Sequence, residues 1–185
     1  MPKSRKFWIL VDGLLLATCL IACAAVLAES GLGLFGYKML SSDLVVGVGH
    51  QAPEFEVAAL SGESIRLSQF RGRPVLLSFS ASWCPSCREE APVLQAVHER
   101  HPDLAVLLVD CGEDATTAQA FAKEYGMTFP ITLDPTDKAS RDYRVYAIPS
   151  VFLIDGEGII RNRFPEQFTV GRVDQALSAL AGGED

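Results

Sequence analysis

Two continuous apolar runs, Pro74–Phe79 and Leu104–Val109, stand on either side of a segment with helical periodicity, Cys87–Arg100. Runs without alternation suit strands covered on both faces. In the helical segment Ala91, Leu94 and Val97 recur in steps of three and make one apolar stripe, which Pro92 is expected to kink. A buried strand, a helix and a second buried strand in succession imply parallel pairing, with the helix as the crossover.

The flanking sequence extends this unit. Phe55–Leu60 and Ile65–Leu67 read as an N-terminal β-hairpin around the turn Ser61-Gly62-Glu63-Ser64, followed by a helical turn, Ser68–Phe70. Downstream come a helix over Thr116–Tyr125 closed by Gly126, a short extended Ile131–Leu133, and a short helix over Lys138–Tyr143. Strands Ser150–Ile154 and Ile159–Arg163 are joined by Asp155-Gly156-Glu157-Gly158, and a last helix spans Val170–Leu180 with Thr169 as its N-cap. The whole is an α/β fold in which a terminal hairpin makes the central sheet mixed.

The first residues are of a different kind. Lys3, Arg5 and Lys6 precede an apolar stretch from Phe7 to Leu27, broken only by Asp12 near its basic end. At about 1.5 Å per residue such a helix spans roughly the 30 Å hydrocarbon core of a bilayer. Flanking basic residues stay cytoplasmic, which sends the remainder outside. A cleaved signal peptide calls for a shorter apolar region. Leu20-Ile21-Ala22-Cys23 resembles a bacterial lipobox, with Cys23 as the lipidated residue, but the apolar run continues beyond it. The expected organisation is an anchor over residues 1–29, a Gly- and Ser-containing linker over 30–48 and a globular domain over 49–185.

Charge narrows the function. Residues 1–38 carry +2 and the remainder −9, and so acidic a domain lacks the basic surface that nucleic acid requires.

The chemistry concentrates at Trp83-Cys84-Pro85-Ser86-Cys87, between the first buried strand and the helix. A sulfur at a helix N-terminus meets unpaired backbone N–H groups and the positive end of the helix dipole, which stabilise a thiolate. Cys84 is the expected nucleophile. Cys87, one turn on, is in reach to resolve the mixed disulfide and close a Cys84–Cys87 disulfide. Pro85 and Ser86 form the turn between them. Trp83 fills part of the core, shields the sulfurs and offers partner chains a flat apolar contact.

Several short segments here resemble the thioredoxin superfamily, and most of all its TlpA/ResA-like branch of AhpC/TSA-type redoxins. They are Gly49-His50-Gln51-Ala52-Pro53-Glu54-Phe55, Leu67-Ser68-Gln69-Phe70-Arg71-Gly72-Arg73-Pro74, Trp83 to Cys87, Glu90, Tyr125-Gly126 and Ile148-Pro149. The resemblance covers about residues 48–182. It implies a thioredoxin-like three-layer fold, a cis Pro149 packed beside the cysteines, and substrate contacts at Trp83, Pro85, Ser86 and Ile148. It also implies disulfide reduction on partner proteins outside the cytoplasmic membrane, with a transmembrane thiol carrier as electron donor and apocytochrome c as a candidate substrate. No cofactor is implied. The buried Asp that thioredoxin carries six residues before its first cysteine is Ser78 here. Glu90 matches a glutamate of the branch; at Cys87 + 3 it shares a helix face with Cys87 and is expected to tune or relay its proton.

Rival readings weigh less. Cys84, Cys87, His98 and His101 imitate a zinc pattern, but His98 lies roughly 16 Å along the helix from Cys87 at ~1.5 Å per residue, so no metal site is expected. His98 and His101 read instead as solvated helix-end residues. A peroxidase needs a Pro-x-x-x-Thr-x-x-Cys context that Ser80 and Ala81 do not supply. Copper(I) would accept two thiolates. Cys111 reads as a packing residue, and Glu113-Asp114 as a helix start.

Overall fold

The computed structural model describes residues 46–164 and 168–182. The expected anchor, and all of the expected linker before residue 46, lie outside them. Among the described residues no helix is long and apolar enough to cross a membrane.

Seven strands form one sheet in the order β2-β1-β5-β4-β3-β6-β7. They are β1 (Glu56–Ala59), β2 (Ser64–Arg66), β3 (Val75–Ser80), β4 (Ala105–Cys111), β5 (Ile131–Asp134), β6 (Ser150–Ile154) and β7 (Ile160–Phe164). The helices are α1 (Pro85–Arg100), α2 (Ala115–Glu124), α3 (Lys138–Asp142) and α4 (Val170–Ala181), with a 3-10 turn over Leu67–Phe70. β3, β4 and β5 are parallel, whereas β1 and β6 pair antiparallel to β5 and β3. The sheet is therefore mixed. Its parallel centre is the βαβ unit that the two apolar runs imply, and every residue of β3 is buried.

Alternation along the strands sorts the core into two layers. Leu76 of β3 and Val106 and Leu108 of β4 face Ala91, Leu94 and Val97 of α1, Phe121 of α2 and Val173 of α4. Val75, Leu77 and Phe79 of β3, with Leu107 and Val109 of β4, face Ala139 of α3, Tyr143, Phe55 and Leu67. Tyr143 packs among Phe55, Phe79 and Phe152, and its hydroxyl donates to the Pro53 carbonyl at 2.8 Å, which ties the entry segment to this layer.

Several expectations need correcting. Leu67 leaves β2 for the 3-10 turn, where it is buried. α1 begins at Pro85, two residues early, because proline suits a first helical position where no N–H partner exists. Its far end, at Arg100 beyond Pro92, is where the periodicity placed it. Thr169 occupies the N-cap of α4, but its side chain makes no capping bond. His98 and His101 are half-buried rather than solvated. The His98 ring meets Phe129 edge-on, and His101 Nε2 lies 2.7 Å from Asp174 on α4. Trp83 contributes little to the core, being 68% exposed.

Candidate active site

β3 ends at Ser80, and the chain turns through Ala81, Ser82 and Trp83 into α1. The turn is closed by the Cys84 N–H donating to the Ala81 carbonyl at 3.2 Å. Cys84 is the N-cap of α1. Its backbone is extended, and its Sγ takes the place that a serine or aspartate oxygen usually fills, accepting the Cys87 N–H at 3.4 Å. One otherwise unpaired donor of the first turn thus points at this sulfur. The Cys84 thiol in turn donates to the Ile148 carbonyl at 3.5 Å. The Ile148–Pro149 bond is cis, so the proline expected beside the cysteines adjoins the residue in contact with Cys84.

Cys84 and Cys87 are both free thiols here. Cys87 is 1% exposed. Burial pushes its thiol up to about 12, with the Cys84 sulfur adding to the rise and the Ser80 hydroxyl opposing it. Pro85 is exposed, Ser86 and Ile148 are half-buried, and Pro149 is buried.

The residues of β3 that face α1 change character toward the strand's end. Leu76 is apolar, but Ser78 and Ser80 are buried hydroxyls. Ser78 Oγ donates to Glu90 Oε1 at 2.8 Å, while Glu90 Oε2 is buried without a partner. Burial raises the Glu90 carboxyl to about 7, against the lowering pull of Ser78. The resemblance leaves Ser78 where thioredoxin has an aspartate; here a carboxyl on α1 meets that serine. Glu90 is buried more completely than expected, at 4% exposed.

A second buried carboxyl comes from β4. Asp110 pairs in register with Ser80, is fully buried, and has neither oxygen hydrogen-bonded. Burial, with Glu113 next in weight, lifts it to about 8. Glu113 is not merely a helix start. Asp114 is the N-cap of α2, accepting the Thr117 N–H at 2.9 Å. Glu113 reaches across instead and accepts both the N–H and the hydroxyl of Ser82, at 2.6 Å each. Sequence reading missed Asp110 and Glu113 because nothing local marks a contact across thirty residues. Tyr146, two residues before Ile148, is 89% exposed.

The arrangement supports thiol chemistry: one sulfur at a helix N-terminus, a second buried one turn on, and acids titrating near neutrality behind them. A family model described as AhpC/TSA family matches residues 48–163. The thiol-disulfide oxidoreductase ResA of Geobacillus kaustophilus is 32% identical over 137 residues, covering 73% of this chain and 79% of that protein. ResA of Bacillus subtilis is 28% identical over 190 residues, covering 100% of this chain and 98% of its own. A Chlorobium tepidum structure described as thiol:disulfide interchange protein DsbE matches with a TM-score of 0.69 at 26% identity, covering 75% of this chain and 100% of that one. With a thioredoxin-like α/β fold and these relatives, the chain belongs to the AhpC/TSA family, in the TlpA/ResA-like branch of the thioredoxin superfamily, and is a thiol–disulfide oxidoreductase.

Proposed function

We propose that Cys84 and Cys87 are the redox dithiol and that the enzyme reduces disulfides of partner proteins outside the cytoplasmic membrane. The observation that carries this reading is the contact of Cys84 Sγ with the Cys87 N–H on one side and the Ile148 carbonyl on the other. Cys84, as thiolate, attacks a partner disulfide. Its new S–S bond forms as the partner's bond breaks, and one partner sulfur leaves as thiolate. Cys87 then loses its proton and attacks Cys84 Sγ, so the second partner sulfur leaves and the Cys84–Cys87 disulfide forms. Two electrons pass to the partner. Glu90, near-neutral in its affinity for protons, takes the Cys87 proton and returns it when the disulfide is reduced again. Trp83, Pro85, Ser86 and Ile148 contact the partner chain, and Pro149 shapes the wall beside the sulfurs.

The wider setting belongs to the same proposal. Residues 1–29 anchor the protein as a single span, 30–48 link it, and the domain 49–185, with the β1–β2 hairpin as an addition to its core, works on the extracytoplasmic side. A transmembrane thiol carrier supplies electrons, and apocytochrome c is the favoured substrate. The midpoint potential of the Cys84–Cys87 couple tests the direction. A value near or below about −270 mV supports a reductant, and one near about −120 mV overturns it in favour of a disulfide donor.

A further inference from the structure

We propose that Glu113 and Arg88 are positioning residues that hold Ser82 from both sides and thereby aim the Trp83–Cys84 turn at the partner. The proposal rests on the Cys84/Cys87 reading above. Ser82 is the residue through which the turn could swing, and each of its polar groups is tied to something outside the turn. Its N–H and hydroxyl both donate to the Glu113 carboxyl, at 2.6 Å. Its carbonyl accepts Arg88 Nη1 at 3.2 Å. Arg88 is fixed in turn: its Nη2 pairs with Glu124, and its guanidinium lies 5.4 Å from the centre of the Tyr125 ring.

The consequence falls on the neighbours. Trp83 is 68% exposed and makes no ring contact among the described residues, so its direction is set by the backbone that carries it. Cys84 N–H is committed to the Ala81 carbonyl, which makes Ser82 and Trp83 the two central residues of a closed turn. Releasing Ser82 leaves the helix and its N-cap sulfur in place but lets the Trp83 side of the turn reorient. The expected loss is therefore in recognition of the partner more than in the chemistry of the sulfurs.

The test uses the full chain in detergent, with Trp8→Phe so that Trp83 is the remaining indole of the two. The probe is oxidised insulin, reduced with dithiothreitol as electron source. Cys84→Ser comes first: if it matches the unsubstituted enzyme, the dithiol reading fails and the clamp is not at issue. With that activity lost as expected, Glu113→Ala lowers kcat/KM about tenfold, mostly through KM, and shifts Trp83 emission well below the melting temperature. Glu113→Gln, which keeps one acceptor oxygen, recovers part of the loss. Ser82→Ala costs about two- to threefold alone and adds nothing on top of Glu113→Ala. Wild-type kcat/KM and emission in folded Glu113→Ala overturn the proposal. So does a Ser82→Ala effect that multiplies fully with that of Glu113→Ala, because Glu113 then acts by a route that does not pass through Ser82.

Discussion

Cys87, buried, and Cys111, half-buried, sit on opposite sides of the same sheet, and their surroundings differ in kind. Cys87 lies on the α1 side. Cys111, at the end of β4, lies on the α3 side, where its Sγ is 3.4 Å from Ser140 Oγ and donates to the Val109 carbonyl at 3.6 Å. Burial raises both thiols, to about 12 and about 11. Their acids separate them. On the α3 side Asp134 is fully used: it accepts the Ala139 N–H at 3.2 Å, the Ser140 N–H at 2.9 Å and the Ser140 hydroxyl at 2.8 Å. On the α1 side Glu90 leaves one oxygen unpaired and Asp110 leaves two. Burial alone does not make a site. A satisfied carboxylate holds a helix in place, whereas an unsatisfied one keeps its proton until some event removes it.

The largest effect that bears on this contrast is in activity. Cys84→Ser is expected to lower disulfide exchange on the order of a thousandfold or more, while Cys111→Ser stays within about twofold of the unsubstituted enzyme. An insulin-reduction assay in which Cys111→Ser is as damaging as Cys84→Ser would erase the distinction between the faces.

Next is stability. Asp134→Ala removes three hydrogen bonds to a buried carboxyl and is expected to cost about 3 kcal/mol in urea unfolding. Glu90→Gln, which replaces a poorly satisfied acid by a neutral amide, should cost less than about 1 kcal/mol. It should nonetheless slow exchange about tenfold if Glu90 carries the Cys87 proton. An unchanged rate for Glu90→Gln, together with a large stability loss, would make Glu90 another Asp134.

The smallest effect is in the pH profile of stability. Glu90 rises from an ordinary 4.5 to about 7, and Asp110 from 3.8 to about 8. Between these limits the unfolded chain binds fewer protons than the folded one, so stability falls as pH rises. The loss begins near pH 4, is complete for Glu90 near 7 and for Asp110 near 8, and adds nothing beyond. Asp110→Asn and Glu90→Gln should each flatten part of that slope in denaturation series across pH 4 to 8. An equally steep slope in the double variant would show that other groups set it.

Much of this was legible before any coordinates. Each apolar run became a strand, because a stretch without polar alternation needs cover on both faces. The spacing put Cys84 and Cys87 one helical turn apart, and Cys84 Sγ accepts the Cys87 N–H accordingly. Glu90 was singled out by the family resemblance, and its place three residues after Cys87 set it on the same helix face. The misreadings share a different origin. Glu113 looked like part of a helix start, His101 like a surface residue and Trp83 like partial core. In each case the deciding partner, Ser82, Asp174 or open solvent, lies outside the local segment.

The sequence by itself determined the parallel centre of the sheet and the strand–turn–helix that carries the two cysteines, whereas the place of Pro149 came only from the family resemblance. The first two follow from periodicity and from backbone chemistry that acts within a few residues. Only the tertiary structure decided which acids are buried unsatisfied, which face of the sheet each cysteine occupies, and what ties the turn before Cys84. Those depend on contacts across the sheet and between loops, where desolvation and hydrogen-bond geometry are set by packing and not by the order of residues along the chain.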